Sequence, residues 1–351
     1  MRPEGMVEID GAYGEGGGQI LRTALACSAI LNRPVTVFRI RAGRKNPGLQ
    51  AQHLKGIEAL AEITRGKTEG VKIGSDRIVF IPGEITPGHY QFDIGTAGSV
   101  TLLLQSLLLP LCLCQGDSFL KLRGGTHVAW SPPFHYLTEI LFPLLRKMGI
   151  GVDARIERWG WYPKGGGEVD VKVHPASSLT PLSLTDRGSL RRIYGLSASS
   201  HLPAHVAERQ RGRALARLAE ELGFKAEIEV RSDVPSPGQG SFLFLVCEFE
   251  GIKAGFSGLG RKGKRAEEVA DEAVGELKDY LGSEGTADPH LADQIVPFMA
   301  FCSERSTLIT TRVTDHLRTN LWVLEQFLDL SVSITEVGGG GGKIDLIPKA
   351  Y

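Results

Sequence analysis

The histidine in Asp315-His316-Leu317-Arg318-Thr319-Asn320 stands at the start of a helical pattern, where an imidazole can attack an electrophile. Thr314 or Asp315 is the expected N-cap. The positive end of the helix dipole disfavours imidazolium and the adjacent Asp315 favours it. The spacing therefore permits a neutral, nucleophilic imidazole near neutral pH, or a surface histidine at a cap. Glu15 lies inside the turn Gly14-Glu15-Gly16-Gly17-Gly18-Gln19. A carboxylate there either caps a helix dipole or holds a divalent cation, which keeps several waters and needs only one or two protein oxygens. Arg39, Arg41, Arg44 and Lys45, with Arg22 upstream and His53 downstream, form the densest basic cluster of the N-terminal part. Arginine forks suit phosphate, although a solvated loop has the same composition. Gln105 interrupts an apolar helix, and a buried amide needs partners. The segment His290-Leu291-Ala292-Asp293-Gln294 has the same character just ahead of Ile295-Val296-Pro297-Phe298-Met299, with capping as the alternative for Asp293.

These groups need elements to hold them. Trp161-Tyr162-Pro163-Lys164-Gly165-Gly166-Gly167-Glu168 contains three successive glycines, which are costly to order and suit a backbone passing close to something else. The turn at Gly14 runs directly into the apolar stretch from Ile20 to Ile30, and a glycine turn feeding a helix leaves N–H groups facing anions. Two plain tight turns are the alternative. Three segments share one plan of turn, apolar helix, strand and second helix. The first predicts helices near 18–31 and 47–65 around a strand at Val35 to Arg41. The second opens at Gly95-Thr96-Ala97-Gly98-Ser99, with helices near 99–114 and 134–148 around a strand at Phe119 to Arg123. The third opens at Asp288-Pro289-His290, with helices near 290–302 and 315–329 around a strand at Ser306 to Val313. Between the second and third, Pro203 to Leu222 and Gly263 to Leu281 read as charged amphipathic helices flanked by strand-like alternation. The expected fold class is α/β, with residues 1–185 and 286–351 as a large domain of repeats and 186–285 as an inserted smaller α/β domain.

In a chain of 351 residues, Lys plus Arg equals Asp plus Glu at 40 each, so no overall basic field draws it to nucleic acid or membrane. The five cysteines show no CxxC pair and an odd total, so neither a disulfide framework nor a zinc site is indicated, and they are expected to be buried and reduced. Leu102 to Cys114 is apolar but too short to span a bilayer, and the N-terminus does not resemble a signal peptide, so a soluble cytoplasmic protein is expected. Gly258-Leu259-Gly260-Arg261-Lys262-Gly263-Lys264-Arg265 has P-loop spacing, but Arg265 replaces the magnesium-binding Ser or Thr. At Glu8-Ile9-Asp10-Gly11, Glu8 stands where the K-x-D-G motif of lysine-adenylating ligases has its nucleophile.

The chain resembles the RNA 3′-terminal phosphate cyclase family from Asp10-Gly11 to the end of the third repeat. The resemblance rests on the Gly14 to Arg22 turn, Arg41-Ala42-Gly43-Arg44 with Pro47-Gly48-Leu49, Gly95 to Ser99, Tyr162 to Gly167, and His316 to Asn320. It implies three related units of a four-stranded sheet with two helices, plus an inserted smaller domain. It implies ATP as a substrate, with His316 attacking the α-phosphorus through Nε2 and passing AMP to an RNA 3′-phosphate. The vicinal 2′-hydroxyl then closes a 2′,3′-cyclic phosphate. By the same resemblance Glu15 would hold Mg2+ or Mn2+, and Arg22, Arg41, Arg44 and His53 would face ATP phosphates or the RNA end. Gln105 and the segment His290, Leu291, Ala292, Asp293 and Gln294 would line the nucleotide pocket, with Pro132 or Pro133 as one wall. His290 stands where many members carry Tyr. Two alternatives compete: a non-catalytic RNA or ribosome-biogenesis binding protein of the same fold, which would lack the histidine, and transfer of an enolpyruvyl group to a small metabolite. Oligomeric state is left open, a homo-oligomer included.

Overall fold

In the computed structural model, which describes residues 5–349, the first repeat is β1 (Val7–Asp10), α1 (Gly18–Leu31), β2 (Val35–Phe38), α2 (Ala51–Thr64), β3 (Lys67–Glu69) and β4 (Ile78–Ile81). Its sheet runs β1-β2-β4-β3, with β1 and β2 parallel and the other pairs antiparallel. A parallel pair needs a crossover, which α1 supplies. The second repeat is β5 (His89–Asp93), α3 (Val100–Cys112), β6 (Ser118–Gly124), α4 (Phe134–Tyr136), α5 (Phe142–Lys147), β7 (Gly151–Arg158) and β8 (Gly167–His174), in the matching order β5-β6-β8-β7.

The third repeat starts earlier than its helices suggest. A two-residue strand, β9 (Ser183–Leu184), pairs parallel with a later strand, as β1 pairs with β2 in the first repeat. The chain then makes β10 (Leu190–Ser200), α6 (His205–Leu222), β11 (Ala226–Arg231), β12 (Gly240–Phe249), β13 (Lys253–Leu259) and α7 (Ala266–Leu281), whose separate sheet runs β11-β10-β12-β13. Only afterwards does the repeat resume with α8 (Pro289–Met299), β14 (Ser306–Thr310), α9 (Asp315–Phe327), β15 (Leu330–Val337) and β16 (Gly341–Pro348), closing the sheet β15-β16-β14-β9. The inserted segment thus occupies the strand-to-helix connection that is a short turn in the other two repeats. The described residues form four mixed four-stranded sheets with helices, an α/β architecture of repeated units and an extra sheet.

Several boundaries differ from the sequence expectation. The helix expected from 47 begins at Ala51, because Gly48 takes φ +75° and a Cβ there would lie 2.3 Å from the Gly74 carbonyl oxygen. The strand expected to reach Arg41 stops at Phe38, since Arg39 and Arg41 turn into the left-handed region at φ +53° and +55°. The helix expected over 134–148 contains a π-helical turn at Leu137–Leu141, just before Pro143, which has no N–H to give the helical ladder.

The triple glycine has a structural partner. Gly165 and Gly166 take φ +61° and +67°, and a Cβ on Gly165 would meet the Thr96 carbonyl oxygen at 2.6 Å. On either side, Trp161 Nε1 donates to Ser200 Oγ at 2.6 Å and the Trp159 N–H to the Pro235 carbonyl at 2.8 Å. This loop joins the second repeat to the inserted segment. Cys27, Cys112, Cys247 and Cys302 are buried and Cys114 is half-buried, all as free thiols. No helix among the described residues is long and apolar enough to cross a membrane.

Candidate active site

α1 packs against α9 and α3, and α8 against α9, so helices from all three repeats converge. Two bonds fix the meeting of α1 and α9: the Glu15 N–H donates to Thr319 Oγ1 at 3.1 Å, and Thr23 Oγ1 donates to Asn320 Oδ1 at 2.6 Å. A cleft of about 1220 Å³ opens at this junction. Glu15, Arg22, Arg41, Arg44, His53, Gln105, Pro132, Pro133, His290, Asp293, Gln294 and His316 all line it.

Thr314 caps α9, accepting from the Leu317 N–H at 3.0 Å while its hydroxyl donates to Asp293 Oδ1 at 2.7 Å. That double tie sets the first turn and aims His316, whose side chain is about half exposed, into the cleft. His316 Nδ1 meets Gln19 Oε1, and Glu15 Oε2 lies 3.7 Å away. An amide oxygen only accepts, so Nδ1 carries the proton and the lone pair stays on Nε2. Burial, reinforced by the charges of Arg22 and Arg44, holds the imidazole below its usual value, against the opposite pull of Asp315. The ring is therefore neutral at neutral pH.

Glu15 forms an ion pair with Arg44, which also donates to the Glu15 carbonyl at 2.9 Å. Its other oxygen, Oε2, is buried with no hydrogen-bond partner. An orphaned carboxylate oxygen beside an arginine-lined cleft fits a hard cation. Among the described residues no three His, Cys, Asp or Glu side chains gather as a cage, but a magnesium ion shared with a nucleotide needs none.

The basic cluster divides by role. Burial pushes the Arg22 guanidinium down to about 10. His53 accepts from the Gln50 N–H at Nδ1, 3.1 Å away, which leaves the proton of its neutral ring on Nε2, next to Gly18. Burial, then the charges of Arg22 and Arg41, pushes His53 down to about 3, so it acts as a neutral donor. Arg41 is a brace, donating to the carbonyls of Asn46 at 2.6 Å and Gly48 at 2.9 Å. Arg39 pairs with Asp10 at 2.8 Å and does not line the cleft.

On the opposite wall Gln105 Nε2 donates to Gln294 Oε1 at 2.6 Å, and Gln294 Nε2 to the His290 carbonyl at 2.9 Å. The sequence reading of Gln105 as needing a partner is met by this pair. Burial pushes Asp293 up to about 7. Asp288, not Asp293, caps α8, and it also accepts from the Tyr136 hydroxyl at 2.8 Å. Pro132 is held by a bond from Thr101 Oγ1 to its carbonyl at 2.7 Å. Leu291 and Ala292, expected along the nucleotide pocket, have fully buried side chains. A helix carries residues 290, 293, 294 and 297 on one face, which sends 291 and 292 inward.

Gln19, Arg312, Thr314 and Asn320 also line the cleft without having been singled out as site residues, as do Gly255, Ser257 and Glu276 of the inserted segment. Gln19 and Asn320 lie inside conspicuous motifs, but only the α1 to α9 contact gives either a function.

The sequence profile of the family described as RNA 3′-terminal phosphate cyclase matches residues 13–334. The chain belongs to that family. A relative from Methanopyrus kandleri named RNA 3′-terminal phosphate cyclase is 43% identical over 349 residues, covering 98% of this chain and 99% of its own. Relatives of the same name from Thermococcus kodakarensis and Trichormus variabilis are 44% and 42% identical, covering 96% and 92% of this chain and 96% and 94% of their own. The cyclase family thus accounts for nearly the whole length of the chain, including the segment that interrupts the third repeat.

Proposed function

We propose that this chain uses ATP to convert an RNA 3′-terminal phosphate into a 2′,3′-cyclic phosphate through a histidine-bound AMP. The observation that carries the proposal is the Gln19 contact, which leaves His316 Nε2 as a neutral lone pair in a cleft lined by Arg22, Arg44 and Arg312. Nε2 would form a bond to the α-phosphorus as the α–β bridging P–O bond breaks, releasing pyrophosphate. An oxygen of the RNA 3′-phosphate would then attack the same phosphorus and break the P–N bond, leaving AMP on the RNA end. Finally the vicinal 2′-hydroxyl would attack the RNA phosphate, losing its proton and expelling AMP. Each step is a phosphoryl or nucleotidyl transfer, so positioning and charge neutralisation carry the catalysis.

The chain's own groups suit these demands. Arg22 and Arg44 supply cationic forks and His53 a neutral N–H donor for phosphate oxygens. Gln105, Gln294, Asp293, His290 and the prolines Pro132 and Pro133 would seat the adenosine. Glu15 Oε2 would hold Mg2+ or Mn2+, which neutralises phosphate charge when bound. Residues 1–185 and 286–351 would form the catalytic body, with 186–285 as the inserted domain. The test is incubation with ATP labelled at the α-phosphate and magnesium. Acid-labile, base-stable label on the protein is expected, and none on His316→Ala; a labelled His316→Ala protein would remove His316 as the nucleophile.

A further inference from the structure

Trp130 stands at the tip of the turn between β6 and α4, and it is 98% exposed. Its backbone is in the left-handed region at φ +64°, an outlier for a bulky side chain. A large aromatic ring held in water by a strained backbone is stabilised by neither packing nor local conformation, and such outliers concentrate at ligand-binding positions. The turn cannot relax by folding the ring inward, because it is tied on both sides. Ser131 Oγ donates to the Val128 carbonyl at 3.0 Å, the Pro132 carbonyl accepts from Thr101 Oγ1 at 2.7 Å, and the Phe134 N–H donates to the Thr126 carbonyl at 3.1 Å. The indole is thus presented by a rigid mount, and it lines the same cleft as His316.

We propose that Trp130 is a stacking platform for a nucleobase of the RNA strand that enters the cleft. This rests on the reading of the cleft as the site of RNA 3′-phosphate activation. The choice of RNA over ATP follows from position. Pro132 and Pro133, half-buried beside the Gln105–Gln294 pair, offer the adenine its seat, whereas Trp130 stands at the solvent rim. ATP ends at its base, but an RNA strand held by its terminal phosphate must continue outward and pass the rim. An exposed indole face stacks on any base, so recognition would be indifferent to sequence, as suits an enzyme that reads a chain end.

The experiment compares the unsubstituted protein with Trp130→Ala and Trp130→Phe, using 3′-phosphorylated oligonucleotides in which one position at a time is abasic. Binding is read by fluorescence anisotropy, and the KM for ATP in the adenylation half-reaction serves as the reference. Trp130→Ala should raise the oligonucleotide Kd by about tenfold or more, the effect of losing one stacked base, and Trp130→Phe should restore most of it. One abasic position should weaken binding to the unsubstituted protein by a similar factor and have no further effect on Trp130→Ala. Unchanged RNA affinity in Trp130→Ala, or equal sensitivity of both proteins to every abasic position, would overturn the proposal. A raised KM for ATP with normal RNA binding would also overturn it, assigning the ring to adenine. If the unsubstituted protein binds no 3′-phosphorylated oligonucleotide, the underlying reading fails and takes the proposal with it.

Discussion

Replacing Gln19 by Ala removes the acceptor that keeps the His316 proton on Nδ1. Without it the neutral ring would distribute between two tautomers and reorient, and on the proposed mechanism only the form with a free Nε2 would attack phosphorus. A lost hydrogen bond of this kind is worth about 1 kcal/mol, and rather more where it orders a reacting group. At 1.4 kcal/mol per decade, adenylation should slow by roughly 5- to 20-fold. Glu15 Oε2, 3.7 Å from Nδ1, is a second acceptor within reach after a small movement, and it keeps the loss from growing further. The assay is single-turnover release of pyrophosphate or appearance of α-label on the protein at saturating ATP. The rate constant should fall while the KM for ATP stays within about twofold, because the bond acts on the reacting nitrogen and not on nucleotide binding. Gln19→Glu should keep most of the rate at pH 8 but move its acid limb upward, since a carboxylate next to Nδ1 favours the imidazolium. A wild-type rate in Gln19→Ala, or a loss confined to KM, would refute the assignment of the attacking nitrogen.

Arg22→Gln tests the charge state of His316, whose pKa is lowered by burial and then by Arg22. Adenylation by the unsubstituted protein should persist below pH 6.5, and the variant's acid limb should move up towards that value in a pH–rate profile. Asp293→Asn should raise Tm at pH 8 and leave it unchanged at pH 4. The carboxyl's folded pKa of about 7 exceeds its ordinary 3.8, so the folded state holds that proton more tightly and stability is lost as pH rises between these values. Asn keeps an oxygen for the Thr314 hydroxyl, and calorimetry at the two pH values checks the difference. Trp130→Gly should not lower Tm, because relief of about 1–2 kcal/mol of left-handed strain offsets the roughly 0.5–1 kcal/mol entropic cost of glycine.

The repeat was legible because each unit announces itself locally, with a turn of glycine or a capping residue feeding an apolar helix. Ser99 and Thr314 do cap α3 and α9, as their side-chain chemistry requires. His316 was legible for the same reason, being defined by its place on one helix. What was hidden depends on distant pairing. β9 is two residues long and becomes a strand only because β14 lies beside it, so nothing local marks Ser183 or Leu184. The triple glycine announced a close approach, but its partners, Thr96 and the inserted segment, come from folding and not from spacing. The inward turn of the Leu291 and Ala292 side chains, by contrast, follows from helical periodicity alone, which separates them from His290, Asp293 and Gln294.

The ties from Glu15 to Thr319 and from Thr23 to Asn320 span 304 and 297 residues of chain. The glycine turn of the first repeat therefore leaves a ribosome well before the helix that completes it. At about 5–20 residues per second, roughly 15 to 60 seconds separate the two. Throughout that interval the nascent chain carries Arg22, Arg44 and Glu15 but not His316. On the proposed mechanism a message cut short before α9 would yield a product unable to label itself with AMP, so adenylation competence would double as a check that translation has reached α9.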